Sequence, residues 1–495
     1  MTNNPHIYII GGGFGGIAAA LRMRKKNYEV TLLERGNQLG GRARVFKQDG
    51  FCFDAGPSVI TAPNLINELF EMFGKNPDDY ITLKPLEHWY RYLFEDGSTF
   101  DYVNDENQLL ENIEKIAPGD SKGFKKLLQL SQVIFKKGFV DLSSEPFLTI
   151  PSMIKQLPAL LKIKFYRSVY SVVSRHIKSE KLRKVFTTQS LLVGGNPFKT
   201  TSIYLLILYL EKEYGCHFSM GGTHGIINGL TKLMKEVGIE IRYESTVTSI
   251  QANNKKLKAL CINHQEILPC DLAIYNGDPA YAYNNLINKN IQGALYKIRL
   301  NTIKYSMGLC VYYFGTNRTY DGVSLHTIIY GKAYKEFLND IFSKLKLNLD
   351  LSLYLYRPTA IDKSLAPKGC DGFYVLAPVP NLQSGIDWSK TRDVLKQHII
   401  QQLEKRVLKD LSKHIITDNF VTPEYFSSEL LSQHGAGFSL QPLFTQSAYF
   451  RFHNRSKLIR GLYFVGAGTH PGAGVPGVLS SAKIVDKLIP KVSNE

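Results

Sequence analysis

Two groups of glycine residues near opposite ends of the chain have the spacing of a nucleotide-binding site. In the first group, Gly11, Gly13 and Gly16 occupy the positions of a G-x-G-x-x-G pattern. The first glycine of such a pattern permits a tight turn, the second lets backbone approach a pyrophosphate, and the third lets helix and strand pack closely. The pattern therefore predicts a dinucleotide whose phosphates bind at a helix N-terminus, where free N–H groups point outward.

The elements around these glycines are those that such a site requires. Residues 7–10 and 28–33 are apolar, β-rich runs, and residues 17–26 between them have a helical composition, so a compact βαβ unit is predicted. Glu34 follows the first glycine by about 20 positions, the spacing at which an acid binds ribose hydroxyls and repels the 2′-phosphate of NADP. The neighbouring Arg35 is a further candidate contact to the cofactor.

Two short segments after Glu34 narrow the choice of cofactor. Gly41 and Arg42 form a second glycine turn beside a cation, which suits the pyrophosphate or the ribose of a dinucleotide. Pro57 and Ser58 belong to another tight turn, residues 54–58, that is expected to bring backbone close to a flavin ring. An ordinary surface turn is the alternative interpretation of that segment.

The second glycine group indicates FAD rather than NAD. A short apolar strand at 462–465 leads into residues 466–477, which contain five glycines and two prolines. Such a composition suits backbone that lies flat against a ligand, and a helix N-terminus there stabilises negative charge on a reduced flavin. His470 in this loop is a candidate catalytic residue, although a histidine in a glycine loop more often fixes the loop by hydrogen bonding.

Composition limits the class of protein and its partners. The chain has 495 residues, a net charge of +17 and 44% hydrophobic residues, which is typical of a globular protein with anionic partners. Its six cysteines are scattered without metal-ligand spacing, so no metal site and a reducing compartment are expected. Nucleic acid is disfavoured because no binding module is recognisable. No segment reaches the roughly 18 apolar residues of a membrane span, so a cytoplasmic or peripheral membrane protein is expected.

A basic stretch in the middle of the chain is a candidate membrane-binding segment. Residues 152–186 contain nine Lys or Arg residues and a single acid, with apolar residues at roughly helical spacing. The pattern is typical of a helix lying in the interface of an anionic membrane. An amphipathic cap helix with a solvated face is an equally good interpretation.

The sequence resembles the bacterial-type phytoene desaturase family of FAD-dependent carotenoid desaturases along nearly its whole length. The motifs that carry the resemblance lie at 11–63, 191–197, 220–223, 357–359, 365–367, 374–380, 445–448, 452–455 and 466–477. Small departures occur beside them, at 275–279 and at Phe452-His453. The resemblance implies that Glu34 and Arg42 hold the ADP half of FAD and that Val247 contacts the adenine through its backbone. It also implies that the flavin end is lined by Gly466, Gly468, Val475, Pro476 and Gly477.

The fold implied is an α/β protein with three interleaved parts. A discontinuous, Rossmann-like FAD-binding domain would combine residues 1–100, 215–280 and 440–495, which fits a second strand pair predicted at 239–250. A helical, membrane-facing cap would span 101–214. A substrate-binding domain with a mixed sheet would span 281–439.

The function implied is desaturation of a long polyene hydrocarbon, phytoene, with oxygen or a quinone as electron acceptor. Such a substrate has no carbonyl group, so loss of hydride to FAD precedes loss of a proton, for which His470 and Glu211 are candidate acceptors. Four alternatives share the fold: a carotenoid cis–trans isomerase, a desaturase of the C30 compound diapophytoene, a flavin amine oxidase, and a non-catalytic binding protein like the GDP-dissociation inhibitors.

Overall fold

A computed structural model describes residues 5–492 and contains strands and helices in alternation. The strands, in chain order, are β1 His6–Ile10, β2 Glu29–Leu33, β3 Val45–Gln48, β4 Phe51–Asp54, β5 Leu83–Pro85, β6 His88–Leu93, β7 Thr99–Val103, β8 His217–Ser219, β9 Glu240–Arg242, β10 Val247–Asn253, β11 Lys256–Ile262, β12 Glu266–Pro269, β13 Ala273–Tyr275, β14 Gly308–Thr316, β15 His326–Ile329, β16 Leu353–Tyr356, β17 Asp371–Val379, β18 Ile415–Val421 and β19 Leu462–Phe464. The α-helices are α1 Phe14–Lys25, α2 Asn64–Glu71, α3 Glu106–Ile116, α4 Ser121–Phe135, α5 Ile150–Lys162, α6 Val169–Val173, α7 Glu180–Val185, α8 Leu206–Tyr214, α9 Thr223–Glu236, α10 Pro279–Tyr281, α11 Ala294–Thr302, α12 Tyr334–Asn339, α13 Trp388–Arg406, α14 Leu411–His414, α15 Pro423–Ser428 and α16 Val475–Leu488.

A five-stranded parallel sheet brings distant parts of the chain together. Its strand order is β19-β13-β1-β2-β9, and every neighbouring pair is parallel. Because parallel strands end at the same edge, the segments after β1, β2, β13 and β19 all emerge there. This sheet, with helices around it and a second large sheet, confirms the mixed α/β fold that the sequence predicts.

Helices cover one face of this sheet and a small sheet covers the other. Ile7 and Ile9 of β1 are fully buried in one core with α1, α9 and α16, whereas Tyr8 and Ile10 face a second core with β10 and β11. Alternate residues of a strand point to opposite faces, which explains this division. Each fully buried isoleucine contributes on the order of 2–3 kcal/mol to folding.

Only the first strand of the pair predicted at 239–250 joins the parallel sheet. β9 pairs with β2, but β10 belongs to a separate antiparallel sheet of order β10-β11-β12. The chain turns between them at Glu244, whose φ of 53° is left-handed. After that turn the Ser245 N–H donates to the carbonyl of Glu34, so the start of β10 lies beside the end of β2 without extending the sheet.

The second large sheet has seven strands in the order β18-β14-β17-β16-β15-β6-β7. β14 and β17 lie in the 281–439 part, for which the sequence predicts a mixed sheet. They pair antiparallel along their full length and are almost entirely buried. β6 and β7 come from residues 88–103. The sequence-based division assigns most of these residues to the FAD-binding part and places its boundary with the cap at residue 100, within β7. Long-range pairing, which local pattern does not reveal, places them beside β15.

Helices α3 to α8 lie on the large sheet and share its core. Leu127, Val173, Leu182 and Leu208 are buried there with Tyr92, Phe100 and other side chains of the sheet. Within residues 5–492, the structure has no helix whose length and apolar character would let it cross a membrane.

A buried ion pair on the large sheet provides a test of this arrangement. Arg357 Nε donates to Asp371 Oδ2 at 2.9 Å, and Asp371 also accepts hydrogen bonds from Thr359 Oγ1 and the Tyr320 N–H, both at 2.7 Å. We expect Asp371→Ala to lower the free energy of unfolding by about 3–5 kcal/mol, because it leaves the buried Arg357 with only the exposed Asp321 as a carboxylate partner. Urea unfolding would measure the loss. Asp271→Ala, which removes an exposed pair with Lys256, should change stability by no more than about 1 kcal/mol, and equal effects of the two variants would contradict the prediction.

Candidate functional site

The turn between β1 and α1 leaves no room for side chains. An ideal Cβ on Gly16 would lie 2.0 Å from the carbonyl oxygen of Gly11, whose φ of +96° is left-handed. A Cβ on Gly13 would lie 3.1 Å from Asn276 Nδ2. The turn therefore presents backbone N–H groups and the N-terminus of the 12-residue helix α1 to a cavity at the edge of the sheet.

Glu34 is held beside this turn by two backbone donors. Its Oε2 accepts a hydrogen bond from the Gly12 N–H at 2.7 Å, and its Oε1 accepts one from the Gly36 N–H at 2.8 Å. Val247, the first residue of β10, is buried and lines the cavity close to Glu34. Arg35 lies at the rim, exposed, and donates to the carbonyls of Ser428 and Glu429.

Arg42 is a half-buried cation that lines the same cavity. It follows Gly41 in a 3₁₀ segment, Gly41–Ala43, that the Gly40 N–H anchors to the carbonyl of Gly12 at 2.8 Å. Its Nη2 donates to Ser432 Oγ at 2.6 Å, but its buried Nε has no partner among the described residues. Burial lowers the pKa of the Arg42 guanidinium, and the Asp278 carboxylate opposes that shift.

The segment that contains Pro57 and Ser58 lies against the backbone of Arg42. A Cβ on Gly56 would lie 2.2 Å from the Arg42 carbonyl oxygen. The Tyr374 hydroxyl donates to the Gly56 carbonyl at 2.9 Å and lies 2.9 Å from Ser58 Oγ. These bonds fix the turn against the large sheet, so the sequence-based alternative of an ordinary surface turn is wrong for these residues.

The loop after β19 approaches the same cavity from the other end of the chain. A Cβ on Gly468 would lie 2.3 Å from Pro279 Cδ, and the Gly466 N–H donates to Ser481 Oγ at 2.9 Å. Val475 and Pro476 begin α16, and a Cβ on Gly477 would lie 2.8 Å from the carbonyl oxygen of Gly472. Val475, Pro476 and Gly477 line the cavity, so the N-terminus of α16 borders it beside that of α1, where a Cβ on Gly15 would lie 3.1 Å from Val478 Cγ1.

His470 is buried in this loop and neutral. Its Nε2 donates to the carbonyl of Leu142 at 3.1 Å, and its ring packs edge-on against Phe147. Burial lowers the pKa of His470 to about 4. Its Nδ1 is buried without a partner among the described residues, and the residue lines the cavity.

Every residue that the sequence assigns to the site lines one cavity, except Gly16, which packs beneath the turn. Three further residues organise the site, although the sequence analysis assigns none of them to it. Two of them, Asn276 and Asp278, lie in the 275–279 segment. Asn276 Nδ2 donates to the Gly11 carbonyl at 3.1 Å, and Arg451 donates to the carbonyls of Ala467 and Thr469 at 2.6 and 2.9 Å. The buried Asp278 faces Arg42. Their partners are distant in sequence, so only the fold reveals these contacts.

The cavity continues beyond the glycine turns into an apolar chamber. Its total volume is about 590 Å³. The apolar half is bounded by helical segments and by the large sheet. Its lining includes Leu191, Ile203, Leu206, Leu210, Met307, Leu309, Val311, Leu353 and Leu376. Polar groups on the wall of this half include Ser58, Tyr90, Glu211 and Tyr354.

The residues present fit a dinucleotide cofactor. The glycine turns bring backbone to the cavity wall at positions where a Cβ would collide with neighbouring atoms, two helix N-termini border the cavity, and Arg42 keeps an unpartnered Nε donor. These features suit a pyrophosphate, which needs close backbone N–H groups and a cation. Both Glu34 oxygens retain acceptor capacity beyond their single backbone bonds, which suits ribose hydroxyls.

Comparisons with known proteins identify the family. Residues 14–485 match the family described as flavin containing amine oxidoreductase. The lycopene-forming phytoene desaturase of Pantoea ananas is 41% identical over 97% of this chain and 98% of its own, and the 4,4′-diaponeurosporene-forming 4,4′-diapophytoene desaturase of Staphylococcus aureus is 34% identical over 98% of both. A solved putrescine oxidase bound to putrescine shares the fold, with a TM-score of 0.63 over 98% of both chains at 12% identity. The chain therefore belongs to the flavin-containing amine oxidoreductases and, within them, to the bacterial phytoene desaturase family.

Proposed function

We propose that this chain is an FAD-dependent phytoene desaturase, which introduces double bonds into a long polyene hydrocarbon in carotenoid biosynthesis. The observation that supports this most strongly is a single cavity that joins the two glycine turns to a chamber lined by aliphatic side chains. A hydrocarbon held in such a chamber would reach the cofactor without passing through water.

The cofactor-binding residues are those that surround the glycine turns. In our proposal Gly11, Gly13 and Arg42 hold the pyrophosphate and Glu34 holds the ribose. The remaining contacts to the ADP half come from Gly16 through helix packing and from Arg35, Gly41 and Val247. The flavin end lies against Pro57, Ser58, Gly466, Gly468, His470, Val475, Pro476 and Gly477.

In this proposal the three interleaved parts keep separate tasks. The cofactor-binding part combines residues 1–100, 215–280 and 440–495, less the strands at 88–103 that pair in the large sheet. Residues 281–439 supply one wall of the substrate chamber. Residues 101–214 form the helical cap that covers it.

FAD, when bound, supplies the hydride acceptor for this dehydrogenation. The chain's own residues orient the reactants and keep water out of the chamber. Val475, Pro476 and Gly477 direct a helix N-terminus at the flavin end, where it favours negative charge. Aliphatic side chains of α8, β14 and β17 line the chamber and exclude water, so the polyene would be bound by burial of apolar surface alone. We propose oxygen or a quinone as the final electron acceptor.

The alternatives fit the cavity less well. An amine substrate calls for polar recognition, whereas the chamber wall beyond the glycine turns is mostly aliphatic and aromatic. A non-catalytic binding protein would not need the close approaches at 466–477. Relatives named phytoene desaturases reach 41% identity, while those named 4,4′-diapophytoene desaturases reach 34%, so we propose the C40 substrate over the C30 one. A cis–trans isomerase differs by its lack of net oxidation, which an assay distinguishes.

We also propose that α5 lies on an anionic membrane surface. One face of this helix exposes Ile150, Ile154, Leu157 and Leu161, while Met153 and Leu160 on the other side line the cavity. Exposed apolar side chains spaced by three or four residues, with nearby lysines, are typical of interfacial helices. A helix that contacts both lipid and chamber would let an insoluble substrate enter directly.

The proposed reaction is tested under anaerobic conditions. We expect the FAD-loaded protein mixed with phytoene in liposomes to lose its oxidised flavin absorbance while a polyene with a longer conjugated system appears, because dehydrogenation extends conjugation. Putrescine should leave the flavin oxidised. Isomerised phytoene without flavin bleaching would favour the isomerase, and bleaching by putrescine alone would favour an amine oxidase.

The cofactor site is tested by adding one methyl group. We expect Gly16→Ala to weaken FAD binding about 10-fold or more, because its Cβ collides with the Gly11 carbonyl and about 1.4 kcal/mol suffices for that change. Flavin fluorescence titration of the apoprotein measures the affinity. Gly322→Ala, which meets no atom within 4 Å, is the matched control, and equal affinities in the two variants would count against the proposed pyrophosphate site.

The membrane proposal is tested by vesicle sedimentation. We expect Ile154→Ser with Leu161→Ser to reduce partitioning onto phosphatidylglycerol vesicles by roughly 100-fold, since two exposed apolar side chains contribute on the order of 3 kcal/mol. Val394→Ser with Ile416→Ser removes exposed apolar side chains on other elements and should leave partitioning unchanged. The same loss in both double variants would refute a specific role for α5.

A further inference from the structure

Glu211 is a buried carboxyl group in the apolar half of the cavity. It lies on α8, where Leu206, Ile207 and Leu210 also line the chamber, and its relative exposure is 1%. A carboxyl group is costly to bury unless hydrogen bonds compensate for the lost water. An apolar substrate has no use for such a group in binding, so its presence on the wall calls for a chemical reason.

Two donors hold the carboxyl group in a form that can be ionised. Tyr90 Oη donates to Glu211 Oε1 at 3.0 Å, and Gln189 Nε2 donates to Oε2 at 3.4 Å. Both oxygens therefore accept hydrogen bonds, which is the arrangement that a carboxylate requires. No buried cation is paired with it among the described residues, so the negative charge is available inside the chamber.

The partners of Glu211 connect it to both segments proposed for the flavin end. Gln189 lies in the 3₁₀ segment Thr188–Val193, and Val193 Cγ1 would touch a Cβ on Gly474 at 3.6 Å. At about 2 Å per residue, that segment spans only about 8 Å from Gln189 to Val193.

On the other side, the ring of Tyr90 lies 5.7 Å from that of His326, which hydrogen-bonds Tyr354 at 2.7 Å. Tyr354 in turn lies 2.5 Å from Ser58 Oγ. Contacts through Gln189 therefore connect Glu211 to the 466–477 loop, and contacts through Tyr90 connect it to the 54–58 turn. The Glu211 carboxyl group lies on the wall of the same cavity that these two segments line.

We propose that the Glu211 carboxylate is the proton acceptor of the desaturation, an inference that rests on the proposed function. In each step the polyene loses a hydride to FAD from one carbon and a proton to Glu211 from the neighbouring carbon. The electron pair of the second C–H bond becomes the new C=C bond, and Glu211 becomes a neutral carboxylic acid. Tyr90 and Gln189 are positioning residues that hold the carboxylate toward the substrate.

The surroundings of Glu211 support this role. Burial raises its pKa to about 8, so the carboxylate holds a transferred proton firmly, whereas His470, with a pKa near 4, does not. A general base is most effective when its pKa lies near the working pH. The titratable groups that face Glu211 are themselves uncharged there, since burial raises the pKa of each: Tyr90, Tyr92, Tyr102 and Cys216.

The first test compares Glu211→Gln with Glu213→Gln, which changes an exposed acid on the same helix. We expect Glu211→Gln to retain FAD and phytoene binding but to reduce anaerobic flavin bleaching by phytoene about 10²- to 10⁴-fold. The wild-type rate should rise with pH through about 8 as Glu211 loses its proton, and the variant should lack this rise. Glu213→Gln should behave as wild type.

A second readout does not depend on activity. Because folding raises the pKa of Glu211 from 4.5 to about 8, the folded protein keeps a proton that the unfolded chain releases in this window. Stability from this group is therefore present below about pH 4.5 and is lost as pH rises to about 8. Glu211→Gln should remove that loss. The difference in melting temperature, variant minus wild type, should therefore increase as the pH rises from about 4.5 to about 8.

The outcomes separate the two proposals. Phytoene could bleach the flavin of the wild type and of Glu211→Gln at the same rate and with the same pH dependence. That result would overturn the role of Glu211 and leave the desaturase proposal intact. Absence of bleaching in wild type would overturn the desaturase and this inference with it. If Glu211→Gln does not fold, Tyr90→Phe replaces it: losing a donor to the carboxylate should move the midpoint of the pH–rate profile to higher pH, and an unchanged midpoint would contradict the proposal.

Discussion

The two glycine turns, which come from opposite ends of the chain, meet at the side chain of Asn276. Its backbone N–H donates to the Ile10 carbonyl at 2.8 Å, and its Nδ2 donates to the Gly11 carbonyl at 3.1 Å. Its Oδ1 lies where a Cβ on Gly15 would collide at 2.4 Å, and close to Gly466 as well. Because β13 lies between β1 and β19, the residue that follows it is the one able to hold both turns in register.

This junction determines how the cavity is divided. On the side of the parallel sheet, the lining is mostly backbone, helix N-termini and Arg42, which suits phosphate and ribose. On the side of the large sheet, the lining is mostly aliphatic and aromatic. The carboxyl edge of the parallel sheet faces that chamber, so the reactive end of a dinucleotide bound across the turns would point into the apolar half.

Local pattern was enough to predict part of this structure. The βαβ unit, Glu34, Arg42 and the loop at 466–477 lie in short segments whose spacing reports their geometry, and the structure brings them into one cavity. The pairing of β6 with β15 and the departure of β10 from the parallel sheet depend on contacts between distant residues. Tyr90 and Gln189 belong to no motif, and the 275–279 segment does not by itself reveal what Asn276 contacts. The partners of all three are known only once the chain is folded.

Two arginines show how hydrogen bonding separates structural from binding roles. Arg451 directs its guanidinium at backbone carbonyls of the 466–477 loop and of Gln446, and none of its nitrogens is left without a partner. Arg42 is only half-buried and lines the cavity, but its Nε is buried and has no partner within the described chain. An unpaired buried donor is costly, so Arg42 gains from an anionic ligand, whereas Arg451 already stabilises the loop that such a ligand would contact.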